Sequence, residues 1–149
     1  MNAAAIVHSD LAGACLAVRG ARLVPDPSGG LYWPDQDTLV VADLHFEKGS
    51  GFAAHGRGIP PPYDTRATLG ALAGLCRRYR PRRVVCLGDS FHDRKAETRL
   101  GPDERDMLHA LVGRHDWIWI RGNHDPAPAF AGRIEDAISL GPLTLRHEP

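Results

Sequence analysis

The sequence predicts an α/β sandwich with at least a partly parallel sheet. Two observations carry this. Short, fully apolar runs alternate with longer amphipathic stretches along most of the chain, and turn-forming glycines, prolines and polar residues punctuate the boundaries. Runs without polar alternation are the kind that strands show when both faces of a sheet are covered.

The elements follow in order. Residues 14–24 read as strands around a turn at Gly20. Residues 25–30 form a loop, and Leu31-Tyr32-Trp33 a short strand stopped by Pro34. Residues 38–42 form a buried apolar strand. Residues 49–62, rich in glycine and proline and ending in Pro60-Pro61-Pro62, read as an irregular loop. A helix is expected over 64–79, capped by Asp64 or Thr65, with Leu69, Leu72, Cys76 and Tyr79 on one face and Pro81 beyond its end. Residues 84–87 form the next buried strand. A second helix opens near Pro102-Asp103 and sets Met107, Leu108, Leu111 and Val112 on one side. Residues 117–120 form a third buried strand, with Trp117 and Trp119 as core residues. Residues 140–145 are expected as a fourth, entered through Gly141-Pro142.

With 149 residues the chain suits one domain over 1–149, and its composition is that of an ordinary globular protein. The 18 basic and 18 acidic residues cancel, so no global charge draws the chain to nucleic acid or to an anionic membrane. Any such attraction has to be local. Cys15, Cys76 and Cys86 show no CxxC spacing, Cys76 and Cys86 read as small core residues in a reducing compartment, and no apolar stretch reaches the length of a membrane span, so a cytoplasmic location is expected.

One arrangement recurs four times: an apolar strand ends and metal-type ligands follow. Residues 39–42 lead to Asp43-Leu44-His45, 84–87 to Gly88-Asp89, 117–120 through Arg121 to Gly122-Asn123-His124-Asp125, and 143–145 through Arg146 to His147. Any one cluster is also ordinary turn chemistry. Four in succession are not, because ligands of open α/β sheets collect at the carboxyl ends of strands. Carboxylate, imidazole and amide oxygen without thiolate suit manganese, iron or zinc. Two such cations about 3.5–4 Å apart clamp an in-line displacement at phosphorus and acidify a bridging water.

These motifs, in this order, resemble those of the calcineurin-like metallophosphoesterases. The flanking segments Leu31-Tyr32-Trp33-Pro34, Val41 to Lys48, Leu87 to His92 and Leu145 to Pro149 are similar to one bacterial branch, the ligase-associated DNA-damage-response endonucleases. The resemblance implies a four-layer α-β-β-α sandwich and a dimetal phosphodiesterase acting as a DNA endonuclease in DNA repair. Asp43 and His45 would hold one cation, Asp89 would bridge, Asn123 and His147 would hold the other, and His124 would protonate the leaving oxygen or stabilise its charge. Manganese is the first choice of metal. A DNA ligase or helicase assembly is the implied partner. Two departures stand out. His92 occupies a position where many family members carry an acid, which leaves open the partner of His124. The downstream Gly-His-x-His motif is absent, from which a C-terminally truncated domain is expected. A small-molecule phosphodiesterase, a phosphoprotein phosphatase and a non-catalytic scaffold are the alternatives.

Around these ligands, Lys48 is either placed for a substrate phosphate or a plain surface lysine, and His92 and Asp125 are candidates for supporting roles or phosphate contact. The loop with His55 and Arg57 is either a wall of the cleft or plain surface. Arg121 and Arg146 could face the site or its opposite side. Arg77, Arg78, Arg80, Arg82 and Arg83 cluster between a helix end and a strand, either as solvated charges complementing the helix terminus or as a nucleic-acid patch. His8, His109 and His115 have no ligand-like company.

Overall fold

The computed structural model describes residues 14–47, 64–91, 95–123 and 130–148. The strands are β1 (Leu16–Val18), β2 (Ala21–Pro25), β3 (Leu31–Trp33), β4 (Thr38–Val41), β5 (Arg83–Leu87), β6 (Asp116–Ile120), β7 (Arg133–Glu135), β8 (Ala137–Leu140) and β9 (Leu143–Arg146). The α-helices are α1 (Asp64–Tyr79), α2 (Ala96–Arg99) and α3 (Pro102–Arg114). A 3₁₀ turn at Pro34–Gln36 separates β3 from β4.

Strands β1 to β7 form one mixed sheet in sequence order. The first four pair antiparallel, and β4 to β7 pair parallel. Helix α1 connects β4 to β5, and α2 and α3 connect β5 to β6, the crossovers that parallel neighbours need. Strands β8 and β9 form a separate antiparallel hairpin.

The period of two along the central strands divides the core. Leu39, Val41, Val84, Cys86, Trp117 and Trp119 meet Leu69, Leu72 and Leu75 of α1 and Leu108, Leu111 and Val112 of α3. Val40, Val85, Ile118 and Ile120 face the other way, onto Ile138 and Leu145 of the hairpin. Both faces are therefore covered, which is why these strands read as unbroken apolar runs. Helices, large sheet and hairpin make three layers among the described residues, in agreement with an α/β sandwich. The second helical layer of the expected four is not among them.

Three expectations are corrected. The segment 140–145 is not one strand: Gly141, at φ 51°, and Pro142 turn the chain between β8 and β9. That hairpin is only half-buried, because one face lies on the large sheet and the other does not. Met107 is 36% exposed, at the edge of an apolar stripe centred on Leu108, Leu111 and Val112. Strand β7 and helix α2 were not expected; at three and four residues they are too short to establish a period.

Cys76 and Cys86 are buried free thiols, as expected, and Cys15 is an exposed one. His109 packs on Phe130, with ring centroids 4.6 Å apart. No described helix is long and apolar enough to cross a membrane.

Candidate metal centre

Three parallel strands deliver ligand-type side chains to one rim. After β4 the chain turns through Asp43, Leu44 and His45. Leu44 packs on the core, which leaves its two neighbours to project away from it. Asp43 and His45 both adopt left-handed backbone, at φ 51° and 47°. After β5, Gly88 and Asp89 do the same, at φ 79° and 50°. Left-handed conformations of non-glycine residues cost energy and collect at functional sites, where surrounding structure imposes them. Backbone hydrogen bonds impose them here. The Asp43, His45 and Phe46 N–H groups donate to the carbonyls of Gly88, Asp89 and Ser90, at 3.3, 2.9 and 2.8 Å. The two loops thus extend the β4–β5 pairing past the strand ends. Phe46 and Phe91, both buried with ring centroids 5.5 Å apart, anchor them from below.

The result is a compact donor set. One ligand atom each of Asp43, His45 and Asp89 lies within 4.8 Å of the others. Asp89 is 5% exposed and so sits at the bottom of the site, whereas Asp43 is exposed at its mouth.

His147 joins this group from the hairpin, not from the large sheet. Four strand ends of one sheet do not therefore converge; three do, and the fourth ligand-type residue crosses from the second sheet. Its Nε2 lies 3.4 Å from Oδ2 of Asp89, and its Nδ1–H donates to the Leu87 carbonyl at 2.7 Å. A histidine tied through one nitrogen presents the other as a lone-pair donor in a fixed direction, the usual support of a metal-ligating imidazole. Burial pulls its pKa down, but the Leu87 carbonyl and the charges of Asp89, Asp43 and Glu148 outweigh burial, and the ring is held above its ordinary value. Gly88 makes the approach possible. A Cβ there would lie 2.5 Å from Nδ1 of His147 and 2.9 Å from Cα of Gly122, so only glycine lets the three segments meet.

Asn123 follows β6 by way of Gly122. Its Nδ2 donates to Oε1 of Glu148 at 2.6 Å. The amide nitrogen is thereby committed, and the carbonyl oxygen is left as the possible ligand. Glu148 was not singled out from the sequence; the only sign was its position next to His147. Arg121 turns aside to Asp136, at 2.7 Å. His124 and Asp125 lie outside the described residues, as do Lys48, His92 and the loop with His55 and Arg57.

Carboxylates and imidazoles gathered within chelating distance, a histidine fixed by its other nitrogen, and a glycine where no side chain fits suit a divalent cation of intermediate hardness. An α/β sandwich with such a site at the carboxyl ends of its parallel strands defines a metal-dependent phosphoesterase architecture. The chain belongs to the calcineurin-like phosphoesterase family, whose model matches residues 37–146. It is similar to a nuclease of Pseudomonas putida, named MPE, whose crystal structure superposes with a TM-score of 0.70 at 28% identity. That match covers 91% of this chain and 66% of the nuclease, so the chain spans a little under two thirds of its length. No curated protein matches.

Proposed function

We propose that the chain is a dimetal-dependent phosphodiesterase that acts on DNA as an endonuclease in DNA repair. The observation that carries the reading is the gathering of Asp43, His45 and Asp89 within 4.8 Å, with His147 against Asp89. Membership of the phosphoesterase family and likeness to a nuclease support it. The branch motifs in residues 41–48, 87–92 and 145–149 support DNA and repair as its context, with a ligase or helicase as the partner, and the free thiols of Cys76 and Cys86 fit the cytoplasm.

In this reading Asp43 and His45 would hold one cation and Asn123 and His147 the other, with Asp89 available to both. Manganese is assigned first, with zinc or iron as alternatives, because the donors are oxygen and imidazole nitrogen without thiolate. When bound, the cations neutralise the phosphate and acidify a water for in-line attack. The chain's own part is to orient and to move protons. Leu87 fixes the tautomer of His147, and Glu148 fixes the face of the Asn123 amide. His124, next to Asn123 in sequence, donates a proton to the oxygen that leaves phosphorus.

The test is hydrolysis of bis(p-nitrophenyl) phosphate with manganese. Asp89→Asn is expected to lower turnover about 100-fold or more while the circular dichroism spectrum stays unchanged. Turnover within a few-fold of the parent would remove the shared carboxylate from the reading.

A further inference from the structure

The opposite end of the parallel sheet carries a cleft of about 370 Å³ between the last turns of α1 and α3. Arg77, Arg80 and Arg114 form its exposed rim. Cys76, Pro81 and Leu111 are buried beneath them. His115 forms one wall, held by its Nδ1–H donating to the Pro81 carbonyl at 2.7 Å. None of the lining residues is a carboxylate. The Cys76 thiol, pushed up to about 11 by burial against the opposing pull of Arg77, adds no negative charge near neutral pH.

Arg22, Arg66, Arg78, Arg83, Arg121 and Arg133 each face a carboxylate. Among the described residues, the side chains of Arg77, Arg80 and Arg114 have neither an ion pair nor a hydrogen bond. Arg19, Arg82 and Arg146 also lack a side-chain partner among the described residues, but only Arg77, Arg80 and Arg114 surround one concavity. A cation near a helix C-terminus is favourable, but three around one concavity repel one another. Arg80 adds a second cost. It follows α1 at φ 46°, its N–H bonded to the Cys76 carbonyl, in the position that helices usually give to glycine.

We propose that this cleft holds the phosphodiester backbone of a single-stranded nucleic acid, as a second contact remote from the metal centre. Guanidinium forks match phosphate oxygens, and three of them neutralise successive phosphates of one strand. The volume lies at the low end of ligand pockets, roughly 300–1,000 Å³, and admits one nucleotide at a time over an apolar floor. A duplex cannot lower a base into it. The choice of nucleic acid as the polyanion rests on the nuclease reading; the excess of positive charge does not.

Binding of a short fluorescent oligothymidylate in EDTA, followed by anisotropy, tests this with the full chain. The triple variant Arg77→Gln, Arg80→Gln, Arg114→Gln is expected to bind at least tenfold more weakly. Its salt slope should fall by about 2, for three contacts at about 0.7 each. Hydrolysis of bis(p-nitrophenyl) phosphate is expected to stay unchanged. Arg80→Gly alone should weaken binding about threefold yet raise the melting temperature by about 2 °C, because glycine suits that backbone. Equal binding by parent and triple variant overturns the proposal, as does no binding by the parent. Polyglutamate competing as well as the oligonucleotide overturns it in favour of an acidic protein partner. If neither protein hydrolyses the ester but oligonucleotide binding still falls in the variant, the nuclease reading fails and the cleft stands.

Discussion

The two ends of the parallel sheet are built on opposite terms. At the carboxyl ends of β4 and β5 the chain is strained: Asp43, His45 and Asp89 all sit at positive φ, and their ligand-type side chains gather within 4.8 Å. At the amino ends some of the charges are paired and the cleft arginines are not. Arg83 at the start of β5 and Arg133 at the start of β7 both hold Asp116 at the start of β6, at 3.1 Å. Beyond the end of β2, and not at these amino ends, Arg78 and Tyr79 of the last turn of α1 hold the buried carboxylate of Asp26. A strand of five residues separates these ends by about 15 Å, so a chain of zero net charge presents an acidic, ligand-rich rim and a basic one. Overall neutrality conceals this, and burial or pairing of individual groups reveals it.

Several changes would break or sharpen the contrast. Gly88→Ala should have the largest effect. Its Cβ has no room beside His147 and Gly122, and alanine disfavours φ 79°. We expect manganese affinity, measured by calorimetry, to fall by about 100-fold or more, through loss of the fit that brings the loops together. Asp26→Asn tests a paired carboxylate that takes no part in the ligand set. It should cost about 2 kcal/mol in urea unfolding, since a buried carboxylate with charge-assisted bonds is lost, and leave metal binding unchanged.

Acid unfolding reads the same carboxylate. Burial alone would raise the Asp26 pKa, but the Ser28 N–H, the Tyr79 hydroxyl and the Arg78 guanidinium outweigh it and hold the group down to about 2. Its contribution is therefore complete above the ordinary aspartate value, near 3.9, and is lost as pH falls towards 2. Stability measured across that window should drop less steeply in Asp26→Asn than in the parent.

Smaller effects are expected at the supporting residues of the metal centre. Glu148→Ala frees the Asn123 amide to rotate and should weaken metal binding about tenfold. His147 titrates in the opposite sense to Asp26. Its raised pKa means that, without metal, its stabilising contribution is full below about 6.5 and is lost as pH rises through the folded value. Metal binding should strengthen over the same rise, because the ligating ring must be neutral. Calorimetric affinities that stay flat between pH 6 and 8, in roughly the range where histidines titrate, would remove His147 from the ligand set.

Much of the site was legible because its signals are local. The apolar runs before Asp43, Asp89 and Asn123 mark strands buried on both faces, and ligand-type residues at their ends are conspicuous. The last cluster misled. Leu143 to Leu145 is just as apolar, but its strand belongs to a half-buried hairpin, and His147 reaches the site from a second sheet. The arginine cluster was legible only as a cluster. Sequence could not divide Arg78 and Arg83, which are held by Asp26 and Asp116, from Arg77 and Arg80, which are not. Nor could it bring in Arg114 from another helix.

What the sequence determined by itself was the order of the central strands β4 to β6 and the helices α1 and α3 between them, and the identity of the ligand-type residues, since periodicity and residue chemistry act over a few neighbours. Tertiary structure alone decided which charges found partners, that Glu148 holds Asn123, and that Gly88 must be bare for His147 to pass. Those outcomes depend on groups such as Leu87 and His147, 60 residues apart along the chain, whose meeting is set by packing rather than by any local preference.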